Sequence, residues 1–503
     1  MNGAHSKIVV PIVGPGHREA LDQIARAETL GDMVELRLDL IGDSDVGELI
    51  HATDKPAIAT CRRAAEGGKY EGPDYKRIEL LQNAVSAGAA WVDVEYQSLV
   101  DRQTAEVAGN LLRRRERTKL ILSHHDLEGT PEDLHPLYER MLSHKPDVIK
   151  IVTTGARAED GIATLRLLWE ARHPTVAFCM GPYGVASRVL AAKFGAPFTF
   201  GSLEEGKESA PGQVTAAALR DIYRYGSIGP LTAVYGVIGK PIGHSLSPHI
   251  QNAAFRSAGI DAVYVPFLVD EFEPFVAAHR EVPVMGYSVT IPHKEAAARL
   301  AENTDELVRS LGACNTLVLQ DGAFAGYNTD MVAACDPLER LYRETLNRSL
   351  EGVPVLVVGS GGVARAVVHG LHRAGASIVI VNRTASRAES LAGEVGAEWG
   401  GLDRIGRERP EVIVNCTSVG MSPNVDATPV DPKSLKGVRV VFDTIYNPER
   451  TRLLRDAAEA GCETVTGVEM FIGQGAKQFE LWTGRQPDRE AMTEAFRKGL
   501  KQR

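Results

Sequence analysis

Residues 33–40 read MVELRLDL, and this stretch decides the fold of the first half. Glu35, Arg37 and Asp39 fall on one face of a strand and Leu36, Leu38 and Leu40 on the other, the two-residue period of extended chain. Short β-rich runs of the same kind follow or precede it at 7–13, 56–62, 91–96, 119–124, 147–153, 175–180 and 198–203. Eight strands, with helical stretches such as 18–30 and 75–87 between them, predict a (β/α)8 TIM barrel over residues 1–226. A doubly wound open sheet is the other arrangement that this alternation admits.

In DVIKIV, residues 147–152, Val148, Lys150 and Val152 share a face. If the Leu face of the second strand packs on the helices, Glu35, Arg37 and Lys150 point into the barrel, where an unpaired charge is costly. A structural ion pair is the plainer reading for Glu35 and Arg37, and a snorkelling surface side chain for Lys150. Burial beside a cationic group lowers a lysine pKa and frees the amine to attack a carbonyl, which makes Lys150 a candidate imine-forming residue. Such chemistry needs a general acid/base, and His125 follows the fifth strand in the right place; adjacent His124 is its rival, since alternation turns only one of them inward. Arg62, Glu66, Arg188, Ser209 and Gln213 follow strands three, seven or eight, at the end where barrel loops build active sites.

These residues resemble the type I 3-dehydroquinate dehydratases. The motifs are ELRLD, TCRRAAEGG, SHHD followed by TP, DVIKIV, MGPYGVASR and ESAPGQ, in order over most of the first half. The resemblance implies that Lys150 forms an imine with the 3-keto group, that His125 is the acid/base catalyst and that Glu66 assists it. It also implies that Glu35, Arg37, Arg62, Arg188, Ser209 and Gln213 hold the hydroxyls and carboxylate of the substrate. A protonated imine acidifies the neighbouring C–H, so no metal is required, and no metal cluster is visible in the sequence.

The whole chain of 503 residues is long enough for roughly three domains. Its net charge of −9, without a long basic run, argues against nucleic acid as a partner. No apolar run reaches the roughly 18 to 20 residues of a membrane span, and MNGAHSKIVVPIVG shows no signal- or transit-peptide pattern, so a cytoplasmic location is expected. The six cysteines are scattered, without a CxxC pair, which argues against structural zinc and a disulfide framework. The GSIGP link, residues 226–230, reaches at most about 18 Å, so the halves it joins are expected to sit close.

A second α/β pattern begins at about 231. GKPIGHSLSPHIQN, 239–252, sets Ser245 and Ser247 just ahead of a helix with Pro248 early in it. Ser247 either caps that helix or, with Ser245, offers hydroxyls to a carboxylate at the positive helix end. SVTIPHKE places Thr290 and Lys294 at a strand-to-helix turn, and AGYNTD places Asp330 after a hairpin-like stretch. A Lys and an Asp from separate segments make either a surface ion pair or a proton-moving pair at a carbinol oxygen.

VPVLVVGSGGVARAVVHGLHRAG, 353–375, is a buried strand, a glycine turn and an amphipathic helix. With Gly359, Gly361 and Gly362 as the turn, Arg365 is read into the slot of a third Gly or an Ala, which leaves a packing turn open beside dinucleotide binding. The next strand carries Asn382, Arg383, Thr384 and Arg387 where NAD binding calls for Asp or Glu. Two guanidiniums without a local acid favour a 2′-phosphate, hence NADP; a solvated basic edge is the alternative.

With NCTSVGM, DTIYNP and ETVTGVEMFIGQGAKQFELWTG added, residues 232–503 resemble the shikimate dehydrogenase family. The resemblance implies that Ser245, Ser247, Thr290, Asn315, Asp330, Tyr446, Gln474 and Gln478 line a shikimate site, with Lys294 and Asp330 as the catalytic pair. It implies that Gly359, Ser360, Gly361, Gly362, Val363, Ala364, Asn382, Arg383, Thr384, Arg387, Thr417, Met421 and Gly467 surround NADP. The expected organisation is a dehydratase barrel at 1–226, a shikimate-binding domain at 231–335 completed by 468–503, and a Rossmann-like NADP-binding domain at 336–467. The two resemblances converge on consecutive reactions: 3-dehydroquinate to 3-dehydroshikimate, then to shikimate with NADPH. A quinate-specific second half, or one half without catalysis, are the alternatives.

Overall fold

Eight parallel strands stand side by side in the order β7-β6-β5-β4-β3-β2-β1-β8. They are β1 (Lys7–Ile12), β2 (Met33–Arg37), β3 (Ala57–Thr60), β4 (Trp91–Glu95), β5 (Lys119–His125), β6 (Val148–Thr154), β7 (Thr175–Met180) and β8 (Phe198–Phe200). From β2 to β7 each strand neighbours its predecessor in sequence, and β8 returns to pair with β1, so the sheet is a singly wound, nearly closed barrel and not a doubly wound sheet. This is a computed structural model that describes residues 5–278 and 282–502.

Two residues along a strand move a side chain one layer up the barrel. The lower layer is apolar and continuous, with Val9, Met33, Ile58, Ile121, Val148, Val176 and Phe198 packed together. One layer up, the inward positions are Glu35, Thr60, Asp93, Ser123 and Lys150, all buried. The same alternation that packs the floor therefore lifts a set of polar and charged groups toward the C-terminal ends of the strands.

Two local features differ from expectation. β2 ends at Arg37, and Leu38–Ile41 is a helical turn, so Asp39 leaves the strand face. Its carboxylate nonetheless turns back to accept from Arg37 Nε and Nη2 at 2.9 and 2.8 Å. The sequence pattern also suggests a helix over residues 271–280; it spans Phe272–Ala278, and residues 279 and 280 lie outside the described ones.

The chain forms two compact units, Met1–Pro248 with Gly259–Ala296, and His249–Ala258 with Ala297–Arg503. In the first, buried Lys193 donates from Nζ to the carbonyls of Pro230 and Thr232, each at 2.8 Å, which fixes the GSIGP link to the barrel's own helical layer. Beyond the link, parallel strands Ala262–Leu268 and Val284–Val289 flank Ala233–Gly239.

The second unit contains the antiparallel pair Thr316–Gln320 and Ala323–Tyr327 and a six-stranded parallel sheet. Its order is Glu398–Gly400, Ser377–Val381, Pro354–Val358, Val412–Asn415, Val440–Asp443, Glu463–Val465. In sequence terms that is 3-2-1-4-5-6, the order whose reversal leaves a dinucleotide crevice beside the first strand. Among the described residues no helix is long and apolar enough to cross a membrane.

Candidate active sites

A cavity of about 270 Å³ opens at the C-terminal end of the barrel. Glu35, Arg37, Arg62, Glu66, His125, Lys150, Arg188, Ser209 and Gln213 all line it, with Phe178, Met180 and Phe200 as apolar wall. His125 faces the cavity and His124 does not line it, as strand alternation requires. Lys150 is 4% exposed, which rules out a snorkelling surface lysine.

The lysine's surroundings differ from the expected cationic neighbour. Lys150 Nζ lies 3.1 Å from Asp93 Oδ2, 3.7 Å from Glu35 Oε1 and 4.1 Å above the Phe200 ring. Asp93 is buried and also takes Arg62 Nη2 at 2.9 Å and Ser123 Oγ at 2.6 Å. Burial pushes this carboxyl up, but Arg62, Lys150 and His125 together hold it well below the usual carboxylate range. Arg62 further donates to Glu95, and Glu95 in turn accepts from Arg77. Nor do Glu35 and Arg37 pair with each other: Glu35 accepts from Thr60 Oγ1 at 2.9 Å, while Arg37 holds Asp39.

His125 and Glu66 form a second unit of the site. Glu66 Oε2 accepts from the His125 backbone N–H at 2.9 Å and lies 3.2 Å from Nδ1. Burial pushes the Glu66 carboxyl up to about 7 against the pull of Arg62. Burial, with repulsion from Arg62 and Lys150, pushes the His125 imidazole well below its ordinary value. A ring that stays neutral, with one nitrogen held by a carboxylate, leaves its other nitrogen ready to take a proton.

Arg188 lines the cavity with donors left unsatisfied. It is buried, stacks 4.0 Å over the Phe178 ring and donates from Nη1 to the Phe200 carbonyl at 3.3 Å. Its Nε and Nη2 have no hydrogen-bond partner among the described residues. Burial lowers its pKa to about 10. A desolvated guanidinium with two idle donors at a cavity wall is a receptor for a carboxylate. Ser209 N and Oγ both donate to Gln213 Oε1, at 2.9 and 3.1 Å, leaving the Gln213 NH2 group to donate elsewhere.

In the continuation of the first unit, Ser245 Oγ accepts the backbone N–H of Ser247 at 3.2 Å. Ser247 is the first residue of helix Ser247–Ser257, so the cap-like contact belongs to Ser245. The buried Tyr264 hydroxyl donates to Ser288 Oγ at 2.6 Å and is also hydrogen-bonded to Ser247. Gly239 makes room for Thr290, whose Cγ2 stands 2.4 Å from where a Cβ would be. Lys294 opens helix Lys294–Leu300 and is half-buried.

On the second unit, Asn315 is buried and its Oδ1 accepts the Thr329 N–H at 2.8 Å, which fixes the residue before Asp330. Asp330 sits in the first turn of helix Thr329–Leu346. Gln478 Nε2 donates to Asn315 O and Thr316 Oγ1, and Gln474 Nε2 to Phe471 O. Tyr446 packs on Phe471 and Phe496 with its edge exposed.

The second unit fits a dinucleotide. Gly359 has φ +112°, and a Cβ there would stand 3.0 Å from the Cys416 carbonyl, so glycine is required. At Gly361 and Gly362 a Cβ would meet nothing within 4 Å, which leaves open space at the start of helix Gly362–Arg373. That helix has no side-chain cap and no acid in its first turn, so its N–H groups are free for phosphate. The third fingerprint position is Ala364 and not Arg365: Ala364 is fully buried against the sheet, while Arg365 turns out to Glu394 at 2.8 Å. Arg383 and Arg387 are exposed and enter no ion pair among the described residues. Thr417 is braced from below, because Asn415 Oδ1 accepts its Oγ1 at 2.7 Å and buried Asp443 holds Asn415 Nδ2 at 3.0 Å. Gly467 lies tightly against the Thr444 and Ile445 carbonyls, and Met421 is exposed.

Family models match in the same order. Residues 8–230 match type I 3-dehydroquinase, 237–317 the shikimate dehydrogenase substrate binding domain, 340–421 shikimate / quinate 5-dehydrogenase, and 467–495 the shikimate 5′-dehydrogenase C-terminal domain. A bifunctional 3-dehydroquinate dehydratase/shikimate dehydrogenase of Arabidopsis thaliana, chloroplastic, is 38% identical over 95% of this chain and 82% of its own. The chain belongs to this bifunctional family. Its second half is 41% identical to an NADP(+) shikimate dehydrogenase of Pyrococcus abyssi, over 52% of this chain and 95% of that one. A solved dehydroquinate dehydratase and shikimate dehydrogenase from S. pombe is 26% identical, covers 98% of each chain and superposes with a TM-score of 0.46.

Within this dehydratase/dehydrogenase the sequence reading missed Asp93, Glu95, Ser123 and Tyr264. In WVDVE the acids at 93 and 95 alternate with Val92 and Val94, the same signal that singled out Glu35 and Arg37. Ser123 and Tyr264 carry no such mark, because a hydroxyl in a strand reads as ordinary β-composition.

Proposed function

We propose that Lys150 is the imine-forming amine of a chain that dehydrates 3-dehydroquinate in its barrel and reduces the resulting 3-dehydroshikimate to shikimate with NADPH in its second half. One observation supports this most: a buried amine, a His125–Glu66 pair and a guanidinium with two idle donors all meet in one cavity. Arg188, with Ser209 and Gln213, binds the substrate carboxylate, and Glu35, Arg37 and Arg62 bind its hydroxyls. Lys150 Nζ attacks the 3-keto carbon, whose oxygen leaves as water. His125 then removes the proton from the carbon beside the imine and returns it to the departing hydroxyl, and one water hydrolyses the product imine to free 3-dehydroshikimate and the Lys150 amine.

In the second half Ser245 and Ser247 bind the carboxylate, while Thr290, Asn315, Tyr446, Gln474 and Gln478 contact the ring and its hydroxyls. Lys294 and Asp330 move the proton at the carbinol oxygen. NADPH, when bound, would supply the hydride to the carbon that bears that oxygen. The Gly359–Ala364 turn would hold its phosphates, Asn382, Arg383, Thr384 and Arg387 its adenosine end, and Thr417, Met421 and Gly467 its remainder. A cytoplasmic location belongs to the same reading, supported by six cysteines that form no disulfide among the described residues.

A coupled assay tests the function: 3-dehydroquinate with NADPH should consume nicotinamide absorbance and yield shikimate. Borohydride with 3-dehydroquinate should leave a covalent adduct on Lys150, and its absence would sink the imine reading.

A further inference from the structure

We infer that Asp93 is the counter-ion that keeps the imine on Lys150 protonated, a role that rests on the imine reading of the barrel. Three observations carry it. Asp93 Oδ2 stands 3.1 Å from Nζ, nearer than the other carboxylate in reach, Glu35 at 3.7 Å. Asp93 is absent from the cavity wall, so it sits behind the lysine and is not available to bind a substrate hydroxyl. It is held by Arg62 Nη2 and Ser123 Oγ on its remaining sides, so its oxygens are fixed whether or not substrate is bound.

The step balances around this carboxylate. The Lys150 ammonium and the 3-keto group become a protonated imine and one water: two of the three nitrogen protons leave on the oxygen, and the third stays on nitrogen. When His125 takes the neighbouring carbon-bound proton, the electron pair flows into that N–H-bearing cation. A neutral imine is a far weaker electron sink, so the fixed anion behind the nitrogen keeps it in the useful state. The other charged or titratable groups facing the pair are Glu35 from β2, Arg62 and Glu66 after β3 and His125 from β5. Glu95, on the same strand as Asp93, holds Arg62 and Arg77 and makes no contact with Lys150 among the described residues.

Cyanoborohydride reduces protonated imines and leaves neutral ones largely untouched, so it reads the proton directly. The full chain is mixed with 3-dehydroshikimate, and Lys150 adduct formation is followed by intact mass across pH. For the native chain the trapping rate should stay level between about pH 6 and pH 9, whereas in Asp93→Asn it should fall by at least about tenfold across that range. Glu95→Gln, which loosens Arg62 while leaving the lysine's partner in place, should keep the native profile shape. Far-UV circular dichroism and the urea midpoint of each variant report whether its barrel is folded. The proposal is overturned by a native profile in Asp93→Asn, by the same alkaline loss in Glu95→Gln, or by an alkaline loss in the native chain itself, the last holding even if Asp93→Asn does not fold. No adduct in the native chain at any pH overturns the imine reading as a whole, an outcome distinct from these.

Discussion

One oxygen of Glu66 serves His125 twice: Oε2 accepts the backbone N–H at 2.9 Å and stands 3.2 Å from ring Nδ1. The ionised carboxylate fixes both the ring's position and which nitrogen carries its proton. With the Glu66 carboxyl pushed up to about 7 by burial, that anion is lost as pH falls through about 7, while the imidazole, pushed down by burial, stays neutral. Dehydratase kcat/KM should therefore show an acid limb near pH 7. Glu66→Gln should abolish the limb and lower the plateau by roughly ten- to a hundredfold. A limb that survives at the same pH in the variant assigns it to another group.

Two nitrogens of buried Arg188, Nε and Nη2, have no hydrogen-bond partner among the described residues. Replacing it with Met should raise the KM for 3-dehydroquinate by about a hundredfold or more, the loss of a charge-assisted fork worth ~3 kcal/mol. The same change removes an unpaired buried charge, so the barrel's urea midpoint should rise, not fall. A variant that both binds weakly and unfolds early would mean that Arg188 is structural.

Lys294→Ala should cut shikimate oxidation by about 100- to 10,000-fold while NADPH affinity, followed by fluorescence titration, stays within a factor of two or so. Barrel activity in the same variant is the internal control, since Lys294 lies outside the dehydratase cavity. Retained dehydrogenase turnover would remove Lys294 from the mechanism.

Arg383→Ala should raise the KM for NADPH by about tenfold or more and leave that for NADH nearly unchanged, because only NADPH carries the 2′-phosphate. Equal losses for the two cofactors would place Arg383 away from that phosphate.

The doubly wound sheet was legible because its central strands are mostly apolar and its glycine turn is local. The fingerprint shows where locality runs out: Ala364 and Arg365 are neighbours in sequence, and only their directions separate a residue packed on the sheet from one paired with Glu394. Alternation showed that only one of His124 and His125 turns inward, the resemblance pointed to His125, and it is His125 that lines the cavity. The serine loop did not: Ser245, and not Ser247, accepts the backbone N–H at the helix start, and Tyr264 reaches Ser247 from another strand.

By itself the sequence determined which side chains share a face. A period of two along β2 and β6 put Glu35, Arg37 and Lys150 toward the barrel axis, because side-chain direction in a strand is set by the residue's own backbone. Only the tertiary structure decided what those groups touch. Lys150 meets Asp93 across 57 residues of chain, and Arg188 meets no acid among the described residues, because partners on different strands depend on how the barrel staggers its neighbours. That stagger turned an expected cationic neighbour into a carboxylate behind the reactive amine, and left one buried guanidinium waiting for an anion.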